Sequence, residues 1–379
     1  MILFVGHDAS LSGAPKSLLL IIGHISQNYK EPISIILKEG GPLEEEYRKL
    51  GNVFLWEKKW YYEKKLVKRL KNRLLNNNKR NQNKVLRYFT RNKPKVIFNN
   101  TVVNGAILEK LSNLDAPVIS RIPELETVMK IYQVRFNSTN KVLKYSSNFI
   151  TPSLSGKKNL IDNFNISSEK IEVAYGTILK KPNLNKVNNK AELKKIGISE
   201  DSFVVGACGG LGWRKGSDLF LNVANYLNGV EKIVFMWIGV DKTQASYLEF
   251  VSEVNKLNLN SKVFLIPYEK DINKYYQIMD VFLMTSREDP FPLVNLEAMK
   301  NGIPVICFKD SGGSEELVDA SSGFVVPYAD TEKMAQKVND IFSQPKLKDK
   351  LSKGALKRSD KFISNKSFDL INQIIEKYL

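Results

Sequence analysis

From its first residues the chain alternates between short runs that are apolar at nearly every position and longer stretches of helical periodicity. In the first half the strand-like runs are ILFVG (2–6), ISIIL (33–37), VFLW (53–56), KVIFNN (95–100), PVISRI (117–122), FITPS (149–153) and KIEVAY (170–175). Helical stretches separate them, for example Ala14–Asn28 and Asn104–Asn113. Strands alternating with helices predict parallel βαβ units in a doubly wound α/β sheet. The stretch Lys180 to Lys190, rich in Asn, Lys and Pro, has no apolar period and reads as a linker. The pattern then restarts with SFVVGACGG (202–210), KIVFMWIG (232–239), KVFLIPY (262–268), DVFLMTS (280–286), IPVICF (303–308) and GFVVPY (323–328). Two successive Rossmann-like domains are expected, residues 1–180 and 190–360, facing each other across a cleft that takes the ligand. The tail Phe368–Tyr378, with Leu370, Ile371, Ile374 and Ile375 apolar, reads as an amphipathic closing helix. The segment 364–379 is expected to pack back on the first domain.

Composition agrees with two cores. The 379 residues are 43% hydrophobic and 26% charged, too long for one ordinary core and too balanced for disorder. No apolar run approaches the about 18 residues of a membrane span. The N-terminus runs straight into a strand without the basic and cleavable features of a secretory signal, so a cytoplasmic protein is expected. Cys208 and Cys307 form neither a disulfide framework nor a zinc motif, and both read as small buried hydrophobes.

The net charge is +17, and its placement says more than its size. Residues 1–180 hold 30 Lys and Arg against 15 Asp and Glu, whereas residues 181–379 hold 27 against 25. Within the first half, Glu57 to Lys95 carries 15 basic and 2 acidic residues. Leu66, Leu70 and Leu74 recur there every four residues among lysines and arginines, with Trp56, Trp60 and Tyr61 just before. Such a segment suits an anionic membrane surface, and it equally suits a helix with a leucine core line and a solvated basic face. No helix-turn-helix, RNA-recognition or zinc pattern accompanies the charge, so nucleic acid is not an expected partner.

The stretch richest in chemistry is SREDPFPLVNLEAM (286–299), which follows an apolar strand and enters a helix near Leu293. It places Asp289 at the C-terminal end of a strand, the usual ligand edge of such a sheet, and Glu297 eight positions later in the helix. A carboxylate can accept two hydrogen bonds from a vicinal diol, and helix N-terminal amides favour phosphate. By spacing alone the pair also fits two surface acids. GGLGWRKG (209–216) is neither a Walker A loop, which needs Gly-Lys-Ser/Thr, nor G-x-G-x-x-G.

Taken together these stretches resemble the retaining glycosyltransferases of family 4, the glycosyl transferases group 1, which have the GT-B fold. Ser286–Met299 resembles their Glu-x7-Glu motif, HDASLSGAPKSLLL (7–20) their N-terminal glycine loop and SEKIEVAYGTI (168–178) their interdomain signature. GGLGWRKGSDLF (209–220) is similar to their diphosphate loop, DSGGSEELV (310–318) to their glycine-rich turn and GFVVPYAD (323–330) to the segment after it. The resemblance implies that Asp289 contacts the donor sugar's hydroxyls, one methylene shorter than the usual Glu, with Glu288 adjacent but out of register. It implies that Glu297 binds the nucleotide ribose, while Phe291 and Leu293 stand where main-chain amides meet sugar and phosphates. Pro292 replaces the usual glycine there and offers no N–H. Lys215 matches the lysine that neutralises the donor diphosphate. Gly210 stands where an arginine is common, and Arg214 is its replacement. With the amides near Gly13 these cations suffice without a metal, and the chain has no Asp-x-Asp pair to clamp one.

One departure concerns the acceptor side. Where many members carry a histidine after the fifth N-terminal strand, this chain has Pro123 in SRIPELE (120–126). A front-side transfer, in which the leaving diphosphate takes the acceptor's proton, needs no histidine. Glu124 is the alternative proton acceptor, Arg121 is suited to an anionic acceptor group, and His7 ends the first strand where it can face the cleft. His24 reads as structural. The expected activity is a metal-independent, retaining transfer from a nucleotide-diphosphate sugar to a hydroxyl of a growing glycan or lipid-linked oligosaccharide. The near-neutral C-terminal domain would hold the donor and the basic N-terminal domain the acceptor. The alternative is a catalytically degenerate member acting as a scaffold in a polysaccharide-synthesis complex, motivated by Pro123, Asp289 and Gly210.

Overall fold

Each of the thirteen apolar runs forms a strand, within two residues of its expected limits, in the computed structural model, which describes residues 1–57, 77–178, 189–269 and 272–379. The chain divides into two units, Met1–Tyr175 with Asn365–Leu379, and Gly176–Ser364. The leucine line at 66, 70 and 74, the basic positions from 58 to 73 and most of the 180–190 linker lie outside the described residues.

Among the described residues of the first unit, seven strands form one parallel sheet: β1 (Ile2–Gly6), β2 (Ile33–Leu37), β3 (Asn52–Leu55), β4 (Val96–Asn100), β5 (Val118–Arg121), β6 (Asn148–Thr151) and β7 (Ile171–Val173). Their order is β3-β2-β1-β4-β5-β6-β7. All positions of β1, β2 and β4 are buried. A parallel sheet covered on both faces has no polar side to display, which is why these runs are apolar without alternation. The helix Gly13–Asn28 buries Leu18, Ile21, Ile22 and Ile25, the i, i+3, i+4, i+7 stripe of an amphipathic helix. That stripe shares one apolar cluster with Phe368, Ile371, Ile374 and Ile375 of the C-terminal helix Lys366–Glu376. His24 joins the same two helices: its Nε2 lies 3.1 Å from Asp369 and its ring stacks on Phe368 at 5.3 Å.

The second unit holds β8 (Phe203–Cys208), β9 (Ile233–Val240), β10 (Val263–Pro267), β11 (Val281–Met284), β12 (Val305–Phe308) and β13 (Gly323–Val326). These strands are parallel in the order β10-β9-β8-β11-β12-β13. Its core centres on Phe220, Phe235 and Trp237, whose rings meet edge to face. The Trp237 indole also donates to the Gly209 carbonyl at 2.8 Å, tying the loop after β8 to β9. Cys307 is buried as expected, but Cys208 ends β8 at the sheet edge and is only partly covered.

Candidate functional site

In the second unit the strand order reverses between β8 and β11. Loops leaving neighbouring strands in opposite directions open a crevice at their C-terminal ends, where ligands of doubly wound sheets bind. The loops that flank this point are Gly209–Gly216 after β8, which carries Gly210, Arg214 and Lys215, and Thr285–Pro292 after β11, which carries Asp289 and Phe291.

The two loops are stitched together through their backbones. Arg287 donates its N–H to the Arg214 carbonyl at 2.9 Å, and the Thr285 hydroxyl donates to the Lys215 carbonyl at 3.1 Å. Gly216 makes this approach possible: its φ is +64°, and a Cβ there would stand 2.0 Å from the Thr285 carbonyl oxygen. The turn after β12 closes the other side. Asp289 donates its N–H to the Ser311 carbonyl at 2.9 Å and accepts from the Gly313 N–H at 2.9 Å, so its backbone is fixed from both directions.

On this frame the side chains converge. The Lys215 ammonium donates to Asp289 Oδ2 at 2.7 Å, and Arg214 Nη1 lies 3.6 Å from the same oxygen. Arg214 also donates to the Glu288 carbonyl at 3.1 Å. Asp289 is 7% exposed, so its charge is held almost out of water and is balanced by two cations. Arg214 therefore joins Lys215, although adjacent residues on one turn have no general reason to point alike. Gly210 stands in open space, with nothing within 4 Å of where a Cβ would be.

Glu297 projects from the helix Leu293–Lys300, which begins directly after Pro292. Its Oε2 accepts from the Tyr276 hydroxyl at 2.9 Å. Tyr276 is buried, and burial first, then the neighbouring Glu297 carboxylate, push its phenol well above the usual range; it stays a proton donor. Phe291 is buried against Phe362 at 5.9 Å, and with Leu293 it crowds the backbone at Gly176.

The first unit reverses its strand order between β1 and β4. His7 follows β1, and Gly13 opens the next helix. Burial lowers the His7 pKa below 6.5, and its Nδ1 is buried with no hydrogen-bond partner among the described residues. After β4, Thr101 adopts φ 90° and ψ 155°, a conformation costly for a β-branched residue, and its hydroxyl accepts from the Val103 N–H at 3.2 Å. Arg121 ends β5, 5% exposed, and donates to Asn100 Oδ1 at 3.1 Å. Burial lowers its guanidinium to about 10. Glu124 accepts from the Val102 N–H at 3.4 Å, and burial pushes its carboxyl up to about 8. His7, Arg121 and Glu124 thus stand at the C-terminal edge of the first sheet. Lys215, Arg214, Asp289 and Glu297 stand at that edge of the second.

Tyr276, Arg287, Asp218 and Thr101 were not foreseen. Tyr276 lies 21 positions from Glu297 and Arg287 lies 69 from Asp218, so no local pattern joins either pair. Arg287 sits two residues before Asp289 in the stretch 286–299, where nothing in the local pattern marks it. Among the described residues no group of three His, Cys, Asp or Glu side chains is placed to hold a metal ion.

The family model described as glycosyl transferases group 1 matches residues 188–358, nearly all of the second unit. The capsular polysaccharide biosynthesis glycosyltransferase CapM of Staphylococcus aureus is 26% identical over 194 residues, 51% of this chain and 50% of CapM. A Campylobacter jejuni N-acetylgalactosamine-N,N'-diacetylbacillosaminyl-diphospho-undecaprenol 4-alpha-N-acetylgalactosaminyltransferase is 27% identical over 218 residues, 57% of this chain and 56% of that one. The matches therefore span about half the length of these curated relatives. Among solved structures, Anabaena HepE in complex with UDP-glucose superposes with a TM-score of 0.80 at 18% identity, covering 100% of this chain and 99% of that one. At that identity the likeness concerns the fold, two parallel α/β sheets of GT-B type.

Proposed function

We propose that this chain, whose residues 188–358 match the family model described as glycosyl transferases group 1, moves a sugar from a nucleotide-diphosphate donor to a hydroxyl of a growing glycan or lipid-linked oligosaccharide in cell-surface polysaccharide synthesis. The observation that carries this reading is the meeting of Lys215 and Arg214 on Asp289 at the point where the second sheet reverses. Cations and a carboxylate, side by side at that edge, match the two halves of a donor: a diphosphate and a polyhydroxylated sugar.

In this reading the donor exchanges partners with the protein. Its diphosphate takes over Lys215 and Arg214, and its sugar hydroxyls take over Asp289, while Glu297, oriented by Tyr276, accepts from the ribose hydroxyls. The anomeric carbon–oxygen bond to the diphosphate breaks as the bond to the acceptor oxygen forms on the same face. Because the new bond forms on the face that the diphosphate leaves, configuration is retained, and the acceptor's proton passes to the departing diphosphate oxygen. The cations stabilise the charge that develops on the leaving group, which is where such groups contribute most. The acceptor is assigned to the first unit, with Arg121 meeting an anionic group and Glu124 and His7 at the same sheet edge.

The capsular polysaccharide biosynthesis in the name of one relative and the diphospho-undecaprenol in the name of the other support a glycan or lipid-linked acceptor. HepE, solved with UDP-glucose, supports a UDP-sugar as the first donor to try. No helix among the described residues is long and apolar enough to cross a membrane. In this reading the basic 57–95 segment, at an anionic surface, gives access to a lipid-linked acceptor. The experiment is a thermal-shift screen with UDP, GDP, ADP and TDP sugars, followed by donor hydrolysis and transfer assays. One donor should raise the midpoint by mass action, and its turnover should persist with EDTA and vanish in Glu297→Ala. A donor that binds without hydrolysis or transfer to any acceptor would favour the scaffold alternative, and no stabilising donor at millimolar level would remove the reading.

A further inference from the structure

Beside the Lys215–Asp289 contact stands a second ion pair that the transfer reaction does not itself require. The Arg287 guanidinium forks onto Asp218, Nη1 to Oδ1 at 2.8 Å and Nη2 to Oδ2 at 2.6 Å. Nη1 also donates to the Trp213 carbonyl at 2.9 Å, and the guanidinium carbon lies 5.5 Å from the centroid of the Trp213 ring. The Arg287 backbone N–H holds the Arg214 carbonyl. One residue of the β11 loop therefore grips three consecutive parts of the β8 loop: the carbonyls of Trp213 and Arg214, the indole of Trp213, and the first turn of the helix Ser217–Tyr226 at Asp218.

The cations Arg214 and Lys215 lie between these attachment points, and their common target, Asp289, lies two residues beyond Arg287. An ordinary surface ion pair contributes little, because two long side chains lose freedom to form it. This one differs in geometry: the fork is bidentate, the Arg287 side chain is only 15% exposed, and a backbone bond from the same residue backs it. Its effect falls on the position of the short 213–216 turn, where it adds a side-chain clamp to the Thr285 hydroxyl's bond to the Lys215 carbonyl.

We propose that Arg287 and Asp218 are a positioning pair for the donor diphosphate: they fix the 213–216 turn so that Lys215 and Arg214 present their charges where the phosphates arrive. This rests on the donor reading above. It assigns neither residue a contact with substrate. It makes the arginine's fork, rather than its charge, the essential property, since a lysine at 287 reaches one carboxylate oxygen and cannot also hold the Trp213 carbonyl in the same plane.

Trp213, 55% exposed and beside the cations, provides a binding signal independent of turnover. The test titrates the full chain with UDP, GDP, ADP and TDP, following tryptophan emission, with Trp213→Phe identifying the signal and calorimetry supplying Kd. Wild type, Arg287→Ala, Arg287→Lys and Asp218→Asn are compared, each with its melting midpoint. The expected result is a Kd raised about tenfold or more in Arg287→Ala, a large part of that loss in Arg287→Lys despite the kept charge, and near-native midpoints. Asp218→Asn, which keeps one acceptor oxygen, should fall between wild type and Arg287→Ala. Wild-type affinity in Arg287→Ala, or full rescue by Arg287→Lys, overturns the positioning role and leaves the donor reading intact. Failure of the wild type to bind any of the four nucleotides overturns both.

Discussion

Glu124 and Lys215 stand at equivalent edges of the two sheets and differ in what surrounds them. The Lys215 ammonium already meets the Asp289 carboxylate at 2.7 Å before a donor arrives. Replacing Lys215 with Ala leaves Asp289 with Arg214 alone and, on the proposed reading, removes a cation that meets the leaving group. Transfer should fall roughly 10²-fold or more in kcat, measured against the donor identified by thermal shift. Glu124 is held by burial in its protonated form up to about 8, against an ordinary 4.5. Folding therefore binds a proton at Glu124 between those values. This group's contribution to stability is fully present below about 4.5 and is lost as pH rises through about 8. Urea midpoints of the wild type should decline across that window, and Glu124→Gln should flatten the decline; equal slopes in the two proteins would refute the assignment. Among the candidate residues, Asp289 and Glu297 stand out within the stretch 286–299 and Lys215 within the stretch 209–220, each by its local pattern. Tyr276 and Arg287 do not, since their partners are distant in the chain and nothing local marks them.

The elements were legible for a different reason. A parallel strand buried on both faces must be apolar at nearly every position, and a helix covering it must be apolar on one stripe, so both leave a period in the sequence. β1 and the helix Gly13–Asn28 match their expected limits almost residue for residue. Limits slip where polar and apolar contexts merge, as at β12, which begins at Val305 rather than 303. Two elements invite direct tests. Gly216→Ala places a Cβ 2.0 Å from the Thr285 carbonyl at positive φ, and should cost at least about 2 kcal/mol in denaturant unfolding. In the C-terminal helix, Ile375 is 0% exposed within the cluster that includes Leu18 and Ile22. Ile375→Ala should cost about 2–5 kcal/mol through lost burial and the cavity left behind. A near-neutral result would mean that this helix contributes little to the first unit.

Over the whole molecule, charge is segregated: nearly all of the +17 excess belongs to the first 180 residues. A chain that draws a lipid-linked acceptor from an anionic leaflet should sediment with anionic vesicles, release as salt rises, and ignore zwitterionic ones. Each basic residue near the surface is worth about 1 kcal/mol. Neutralising the lysines and arginines of 57–95 should abolish the effect, and retention of vesicle binding would locate it elsewhere. Sequence alone determined the alternation of strand and helix, the single restart of the pattern after the linker and the order of the motif residues. These depend on local period and on side-chain chemistry, which the chain carries wherever it goes. Only the tertiary structure decided that the sheets reverse between β1 and β4 and between β8 and β11. It alone brought Arg214 to the same carboxylate oxygen as Lys215, set Tyr276 against Glu297 and locked Arg287 onto Asp218. Those are facts of strand order and side-chain convergence, set by how distant segments pack rather than by any spacing along the chain.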